Sequence, residues 1–387
     1  MTCGSNQWPH LWRSYAAAFL DEQVRVIDRD DGDRTTSEGQ AYAMFFALVA
    51  KDRPRFDGLL RWTEHNLASG DLTMHLPAWL WGQRTDSTWG VLDDNSAADA
   101  DLWMAYTLIE AGRVWSQPRY SQLGMSLAER IASDEIVHAP HLGPMLLSGS
   151  RGFESNGTYR FNASYLPLQV VIGLAHRDPE GPWAHVAERI PALVRHSSPH
   201  GFATDWIELS AGSVTPSAVG SYDAIRVYLW AGMLHPSTPG RDDLLQALPG
   251  MARYVRSQDV PPAKVASNGT VIDRRGPIGF STALLPYLAA LDDGRSERTQ
   301  MARARSAHDA NTGLYGKPAR YYDQNLALFA IGWGGRQFWF GAGGPVVAGA
   351  TVAITGPMSR TTTTNGSGVY SVKLIAGTNY TVTASKF

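Results

Sequence analysis

Residues 96–115 read SAADADLWMAYTLIEAGRVW, and this stretch shows the pattern from which the fold can be predicted. Its apolar residues recur at spacings of three and four, the period of an α-helix with one buried face. The same pattern predicts further helices at residues 9–23, 37–51, 54–68, 118–134, 163–177, 182–197, 221–235, 241–257, 277–292, 296–308 and 320–333.

These twelve predicted helices, joined by alternating short and longer connections, indicate six helical hairpins. A single hairpin is too thin to bury its own apolar face, so we predict that the six close into a double ring of helices. The longer connections, 71–95, 136–162 and 199–220, would then gather at one end. Long ordered loops on a rigid scaffold commonly carry functional sites, so we expect the site at that end.

The sequence changes character near Gly341, where GAGGPVVAGATVAITGP (341–357) is rich in Gly and Pro. The residues that follow alternate with period 2, and Asn365–Gly368 is typical of a hairpin turn. We predict a helical domain at 1–340 and a small antiparallel β module of about four strands at 341–387. A module of about 45 residues is below the usual size for independent folding, which leaves two alternatives: it packs on the helical domain, or the chain is truncated.

Composition narrows the classes of function. The net charge is −2 with no basic block, which argues against nucleic-acid binding. The single cysteine, Cys3, excludes an internal disulfide and a cysteine metal site, and the pair His138 and His141 lies in a turn-like segment, HAPHLGP. We therefore predict no metal and no cofactor. The 13 Trp and 15 Tyr suit either a cleft for flat ligands such as sugar rings or a large core.

Targeting signals are few. No run of about 18 apolar residues is present, so no membrane span is predicted. The polar start MTCGSNQWPH is not a signal peptide, which leaves a mature N-terminus with an added Met or a cytoplasmic protein as alternatives.

Three acidic stretches open apolar helices, and the first is RTTSEGQAYAM (34–44), which contains Glu38. Ser37 and Gln40 fit the S-x-x-Q capping box, so we expect the helix to begin there. Taken alone, a glutamate in a first helical turn is ordinary, because helix N-termini favour acidic side chains.

The other two stretches add one carboxylate each. Asp99 and Asp101 are two residues apart, so on a helix they point to nearly opposite sides and one of them is expected to cap the helix or meet solvent. The alternative for Asp99 is a capping box with Ser96. Asp223 and Arg226 lie three apart on an otherwise apolar helix, where an arginine would favour the charged form of the carboxylate, as a base requires.

Two separated carboxyl groups, one acid and one base, are what hydrolysis of a glycosidic bond needs. The acid must be protonated near neutral pH, so its pKa must be raised by burial or by a nearby negative charge. The helix dipole lowers the pKa of Glu38, so desolvation and a neighbouring Asp, with Asp99 the first candidate, have to outweigh it.

Seven segments together resemble glycoside hydrolase family 8, and within it the endoglucanases encoded with bacterial cellulose synthase. They occur in family order: RVID (25–28), TTSEGQAYAMF (35–45), LPAWLWG (76–82), FNASYLP (161–167), SYDAIRVYLW (221–230), GPIGFS (276–281) and YYDQNLALFAIGW (321–333). The family signature A-[ST]-D-[AG]-D appears as AADAD (97–101), with Ala98 in place of the hydroxyl residue, and Thr107 replaces a small residue later in it.

The resemblance implies an (α/α)6 barrel and an inverting endo-β-1,4-glucanase. Glu38 matches the general acid, Asp223 the general base, and Asp99 the residue that holds the sugar at the cleavage subsite. Tyr165 matches a tyrosine that positions the sugar or the water, and Arg226 should orient Asp223. For inversion, the two catalytic carboxyl groups should lie about 6.5–9.5 Å apart.

Several aromatic side chains are candidates for the walls of a sugar cleft. We predict that Trp79, Trp81 and Trp103 stack on glucose rings, each with a core position as the alternative. Tyr222 is a further candidate, and Tyr321, Tyr322 and Asp323 are weaker ones. The residues from 341 onward resemble a carboxypeptidase-regulatory-like module, to which we assign no chemistry.

The predicted substrate is a cellulose-like β-1,4-glucan, with xylan, mixed-linkage β-glucan and chitosan as alternatives within the same family. A non-catalytic glucan-binding protein is the alternative from another class. The resemblance also implies a periplasmic or secreted protein, since polymeric glucan is met outside the cytoplasm. A monomer is expected, with the cellulose synthase machinery as a candidate partner.

Overall fold

The computed structural model describes residues 7–140, 142–341, 344–345, 351–355, 360–363 and 381–385. Within these residues the chain forms thirteen α-helices. They are α1 Gln7–Phe19, α2 Ser37–Val49, α3 Arg53–Leu67, α4 Ala98–Val114, α5 Pro118–Asp134, α6 Leu168–Arg177, α7 Trp183–His196, α8 Ala224–Met233, α9 Arg241–Ala247, α10 Pro249–Gln258, α11 Ile278–Ala290, α12 Gly294–Ala307 and α13 Tyr321–Gly334.

The predicted helices are confirmed, with two differences in detail. The segment predicted at 163–177 begins with a 3₁₀ turn at Ala163–Tyr165 before α6. The segment predicted at 241–257 is interrupted at Leu248, so that α9 ends and α10 begins at Pro249. Proline has no N–H to donate and its fixed φ suits the first position of a helix, which explains the break.

The helices form two concentric rings. In the inner ring α2, α4, α8, α11 and α13 are buried on nearly all sides, and α6 over most of its length. Each inner helix packs on the next, from α2 through to α13. The ring closes where Phe46 of α2 meets Phe329 of α13, with ring centroids 4.7 Å apart. Amphipathic helices such as α5 and α7 cover the outside, and the predicted (α/α)6 barrel is confirmed.

Short strands lie in the loops between the helices and in the residues after α13. They are β1 Thr35–Thr36, β2 Leu80–Gln83, β3 Trp89–Asp93, β4 Ile136–Ala139, β5 Gly143–Leu146, β6 Glu154–Ser155, β7 Thr158–Phe161, β8 Ile207–Ser210, β9 Ser213–Pro216, β10 Val219–Gly220, β11 Lys264–Ala266, β12 Val271–Asp273, β13 His308–Asp309, β14 Leu314–Tyr315, β15 Phe340–Gly341, β16 Gly344–Pro345, β17 Thr351–Thr355, β18 Arg360–Thr363 and β19 Thr381–Ser385.

Two antiparallel sheets organise the loops that precede the inner helices. One has the order β1-β2-β3 and ties the start of α2 to the loop before α4. The other has the order β6-β7-β8-β9 and joins the loop before α6 to the loop before α8. The predicted gathering of the long connections at one end is therefore confirmed for these segments, and the N-termini of the inner helices open onto that end.

The C-terminal part is described only in pieces. Strand β17 pairs antiparallel with both β18 and β19. The hairpin β15–β16 straddles the predicted boundary at 340/341, and Phe340 is buried against Phe45 of the barrel. The predicted turn at 365–368, like Cys3 and His141, lies outside the described residues. Among the helices that are described, none is both long and apolar enough to cross a membrane.

Candidate active site

Glu38 lies in the first turn of α2, but the helix is capped differently from the prediction. Thr36, in an extended conformation, is the N-cap, and its hydroxyl accepts from the Gly39 N–H at 3.2 Å. Gln40 turns away and accepts from the Val26 N–H at 2.7 Å. The predicted capping box of Ser37 and Gln40 is therefore wrong, because Gln40 fixes a neighbouring loop instead of returning to the helix end.

The surroundings of Glu38 favour a protonated carboxyl group. The side chain keeps partial exposure toward the open end of the barrel. Burial raises the pKa of Glu38 to about 8, and the negative charge of Asp99 is the second cause, while a backbone hydrogen bond and Arg226 oppose the shift. The expected conflict with the helix N-terminus is thus resolved in favour of desolvation, with Asp99 contributing as predicted.

Arg226 joins the other two predicted carboxylates. One guanidinium nitrogen, Nη1, donates to Asp99 Oδ2 at 2.6 Å, and Nη2 donates to Asp223 Oδ1 at 2.9 Å. The Asp99 side chain is 1% exposed whereas that of Asp223 is 32% exposed. The structure therefore brings all three carboxylates to one place, with Asp223 open to a solvent molecule and Asp99 closed to it.

Two further hydroxyl groups complete the surroundings of Arg226. Its Nη1 also donates to the Tyr42 hydroxyl at 3.0 Å, and its Nη2 to Ser164 Oγ at 3.0 Å. The guanidinium lies 5.3 Å from the ring centroid of Tyr165, close enough for a cation–π contact. Sequence reasoning missed Tyr42 and Ser164, although both lie inside motifs that were identified.

Asp99 does not cap α4. The N-cap is Ala97, without a side-chain cap, and Ser96 donates instead to Glu135 Oε1 at 2.6 Å. Asp99 Oδ1 accepts from the Ala100 N–H at 2.9 Å. The capping alternative for Asp99 is therefore wrong, and burial raises its pKa against the opposing charge of Arg226.

Asp101 faces the other way, as the spacing predicts, but it neither caps the helix nor reaches solvent. It is fully buried beside Glu135, which is also fully buried. Both Asp101 oxygens lack an N–H or O–H donor among the described residues, so the two carboxyl groups can hydrogen-bond only if one carries a proton. Burial raises the pKa of both groups, that of Glu135 to about 8.

Asp205 supports the turn that carries Asp223. Its Oδ1 accepts from the Ser221 N–H at 2.7 Å and from the Ala224 N–H at 2.9 Å, so it spans the backbone on both sides of Asp223. Sequence reasoning missed this residue, because Asp205 lies 18 positions from Asp223 in a loop without helical or strand periodicity.

Replacing Asp205 by Ala should lower kcat about tenfold with little change in KM, because two hydrogen bonds that fix the Asp223 turn are lost. Asp205→Asn keeps an acceptor oxygen in the same place and should restore most of the rate. Steady-state kinetics and melting temperatures of both variants check this. Equal losses for Ala and Asn, or a change confined to KM, would contradict a positioning role.

Trp79 precedes strand β2 and Trp81 lies within it, opposite Thr35 of β1, the strand that leads into α2. The Trp79 carbonyl accepts from the Ser37 N–H at 3.0 Å, which places Trp79 beside Glu38 with its ring partly exposed. Trp81 stacks on Trp89, with ring centroids 5.1 Å apart. The guanidinium carbon of Arg25 lies 4.8 Å from the ring centroid of Trp81. Trp89 is 42% exposed and is therefore the more accessible ring of that stack.

Trp103 occupies the core instead of the cleft. It is fully buried and packs against Phe45, Trp230 and Phe329 between the inner helices. A ring with no accessible face cannot stack on a sugar, so the structure replaces the predicted contact with a core role. The cause is its position in α4, about one helical turn beyond Asp99 and therefore deeper between the inner helices.

The remaining aromatic candidates either precede Asp223 in the chain or lie in the first turn of α13. Tyr222 is 46% exposed, and its backbone carbonyl accepts from the Tyr322 hydroxyl. Tyr321 is buried. Asp323 is buried as well and accepts from the Gly279 N–H at 3.0 Å at the start of α11, and burial raises its pKa to about 6.

Trp206 is an aromatic residue that sequence reasoning missed. It is half-buried next to Tyr165, with centroids 6.1 Å apart, and it also contacts Phe153 and Arg160. These four side chains come from the β6-β7-β8-β9 sheet and from the loops that flank it. Aromatic residues from separate loops therefore lie near the carboxylates: Trp79 beside Glu38, Tyr165 over Arg226, and Tyr222 next to Asp223. In the described ranges, no group of three or more His, Cys, Asp or Glu residues is arranged to hold a metal ion.

Comparisons with known proteins agree with this arrangement. An endoglucanase of Xanthomonas axonopodis pv. citri (strain 306) is 44% identical over 347 residues, 88% of each chain. An endoglucanase of Salmonella typhi is 43% identical over 339 residues, covering 86% of this chain and 88% of that protein. The crystal structure of endo-1,4-D-glucanase from Vibrio fischeri ES114 has a TM-score of 0.80 at 38% identity, covering 87% of this chain and 98% of that chain.

The model of the family "Glycosyl hydrolases family 8" matches residues 1–336, which contain every inner helix and every carboxylate of the candidate site. The match includes the motifs around Glu38, Asp99 and Asp223, so it covers the residues whose geometry is described above. The chain therefore belongs to glycosyl hydrolase family 8.

Proposed function

We propose that this glycoside hydrolase is an inverting endo-β-1,4-glucanase whose general acid is Glu38 and whose general base is Asp223. The observation that carries the proposal is the placement of Arg226 between Asp99 and Asp223 beside a Glu38 with a raised pKa. Glu38 is thereby kept protonated near neutral pH, and the Asp223 carboxylate pairs with the Arg226 guanidinium, an arrangement that suits the acid and base roles in glycoside hydrolysis.

The proposed reaction is a single displacement. Glu38 gives its proton to the glycosidic oxygen as the bond to the anomeric carbon breaks. Asp223, which is partly exposed and held by Arg226, takes a proton from the water that attacks the opposite face of the sugar. Asp99 and Tyr165 hold the sugar at the cleavage subsite. The product then has the α configuration at the new reducing end.

A cellulose-like β-1,4-glucan is the proposed substrate. Two observations support this choice: the relatives are named endoglucanases, and the pairs Tyr165–Trp206 and Tyr222–Tyr322 lie near the carboxylates. Xylan, mixed-linkage β-glucan and chitosan are the alternatives within the same mechanism. Initial rates on carboxymethyl cellulose, xylan, lichenan and chitosan separate them, and a higher rate on xylan or chitosan than on both glucans would overturn the assignment.

A non-catalytic glucan-binding protein is the competing function. Loss of chemistry would remove the reason to keep three carboxylates and a buried arginine together, since buried charges are costly without a role. Release of reducing ends from carboxymethyl cellulose by the purified protein checks the choice. Binding of the polymer without release of reducing ends would reject the enzyme.

The stereochemistry of the product gives a separate prediction. Since a water molecule attacks directly, fresh products from a short glucan oligomer should appear as the α-anomer before mutarotation. Time-resolved ¹H NMR of the anomeric region measures this. An initial excess of the β-anomer would mean retention through a covalent intermediate and would reject Asp223 as a base acting through water.

We also propose a periplasmic or secreted location, because a polymeric glucan is met outside the cytoplasm. A monomer is proposed, with the cellulose synthase machinery as the candidate partner. Residues 1–340 are proposed as the catalytic domain, and 341–387 as a separate β module without chemistry. Fractionation of the native host and size-exclusion chromatography with light scattering test location and assembly.

A further inference from the structure

A cavity of about 660 Å³ lies directly beside the proposed base. Ser221 and Tyr222, the two residues before Asp223, form one wall. The other walls come from β11, from the loop that leads from β12 into α11, and from the loop before α13. A glucan chain that passes Asp223 would therefore place its neighbouring sugar units along this cavity.

Four basic side chains line the cavity, contributed by Lys264, Arg275, Lys317 and Arg320. Lys317 pairs with Asp309 at 3.2 Å. Within the described parts of the chain, no carboxylate lies within ion-pair distance of Lys264, Arg275 or Arg320. Lys264 and Arg275 therefore line this space without an ion pair, while the charge of Arg320 acts on Asp323.

The acidic residues of the cavity offset only part of this positive charge. Asp273 and Asp323 are the two acids in the lining, against four bases. Asp273 accepts from the Arg275 backbone N–H at 3.0 Å and lies opposite Lys264 in the β11–β12 pair, so it offsets part of the charge there. Asp323 is buried and hydrogen-bonded to α11, and burial raises its pKa to about 6, so part of its charge is lost in mildly acidic conditions.

We propose that this cavity is a subsite for anionic substituents on the glucan chain, so that the enzyme prefers a glucan carrying carboxylate or other acidic groups on its hydroxyls over a neutral one. The inference rests on the proposed function, because the cavity meets the polymer only if the polymer lies across Asp223. A neutral sugar gains little from unpaired cations, whereas an acidic substituent gains a charge-assisted hydrogen bond. A basic polymer such as chitosan would be repelled.

The test compares an anionic with a neutral substrate of the same enzyme. In the double variant Lys264→Gln/Arg275→Gln, KM for carboxymethyl cellulose should rise roughly three- to tenfold, as expected for two partly exposed charge contacts. KM for lichenan, a neutral mixed-linkage glucan, should stay within about twofold. The effect on carboxymethyl cellulose should disappear at high ionic strength, because salt screens exposed charges.

The matched control is Lys51→Gln/Arg119→Gln, which removes the same two charges from exposed positions at the ends of α2 and α5, outside the cavity. It should leave both KM values unchanged. An unchanged KM for carboxymethyl cellulose in the cavity variant, or equal changes for both polymers, would overturn the proposal.

A binding measurement separates this proposal from the proposed function. Affinity electrophoresis through gels that contain carboxymethyl cellulose or lichenan can be run on Glu38→Gln protein with and without each pair of substitutions. Selective loss of retardation by the anionic polymer supports the cavity assignment even if the wild-type protein cleaves neither polymer, which would reject the enzyme. Retardation that is the same with both pairs of substitutions would reject the cavity assignment alone.

Discussion

Glu38→Gln should lower kcat on carboxymethyl cellulose by about 10³-fold while leaving glucan binding nearly intact. The amide has the shape and hydrogen-bonding reach of the carboxylic acid but has no proton to give to the leaving oxygen, and general acid catalysis typically contributes 10²–10⁴-fold. Reducing-end assays measure the rate, and affinity electrophoresis measures the binding. The matched control is Glu297→Gln, a first-turn glutamate of α12 away from the carboxylate cluster, which should retain full activity.

The pH profile gives a second readout for Glu38. The acid must be protonated, and its pKa is raised to about 8, so the rate should hold through neutral pH and fall as the pH rises through about 8. Removing the charge of Asp99 by Asp99→Asn should move this alkaline limb to lower pH, because Asp99 is the second cause of the raised pKa. A limb that stays in place in Asp99→Asn would contradict this electrostatic account.

The same group predicts a change in stability with pH. Because the folded-state pKa of Glu38 lies above its unfolded value, the folded protein binds more protons between about pH 4.5 and 8, and its stability falls as pH rises through that window. Glu38→Gln removes this contribution. The melting temperature of the variant minus that of the wild type should therefore increase as the pH rises from 5 to 9. A constant difference across that range would argue against the raised pKa.

The fold was predictable because helical periodicity is local and strong. Inner helices such as α4 are buried along nearly their whole length, and outer helices such as α5 have one apolar face, so length and period distinguish both from strands. Capping was less predictable, because it depends on where a side chain goes in three dimensions. Gln40 fits a capping box by spacing, yet it satisfies Val26 from another loop.

The predicted site residues show the same difference between local patterns and three-dimensional placement. Glu38, Asp99, Asp223 and Arg226 converge because each lies at the N-terminal end of an inner helix, and the ring brings those ends together. For Trp103 the sequence leaves the cleft and the core as alternatives, because the type of ring does not indicate its depth along a helix, and the structure selects the core. Residues such as Asp205 act through backbone contacts across the fold, and no local pattern marks them.

Arg226→Met should destabilise the protein by about 3–5 kcal/mol and abolish activity. The arginine is 6% exposed and pairs with Asp99, which is 1% exposed, so its removal leaves a buried carboxylate without a cation. Methionine keeps much of the side-chain volume, which limits the effect to charge and hydrogen bonding. Urea unfolding followed by far-UV circular dichroism, together with reducing-end assays, measures both consequences.

The loss of stability in Arg226→Met should itself depend on pH. Without the opposing cation, burial raises the pKa of Asp99 further above its unfolded value, so the folded variant loses stability as pH rises through that window. The deficit should therefore be smallest near the unfolded pKa of an aspartate, about 3.9, and should grow as the pH rises. If the deficit were the same at low and high pH, lost packing and not an unpaired carboxylate would be its cause.

A double variant separates stability from chemistry. In Arg226→Met/Asp99→Asn the orphaned charge is gone, so much of the lost stability should return while turnover stays absent, because Asp223 still lacks its orienting partner. Arg177→Met is the matched control, since it removes another arginine that pairs with a buried carboxylate, Glu110, away from the carboxylate cluster. It should cost stability but leave kcat unchanged. Recovery of turnover in the double variant would show that Arg226 serves only to neutralise Asp99 and would remove it from the orientation of the base.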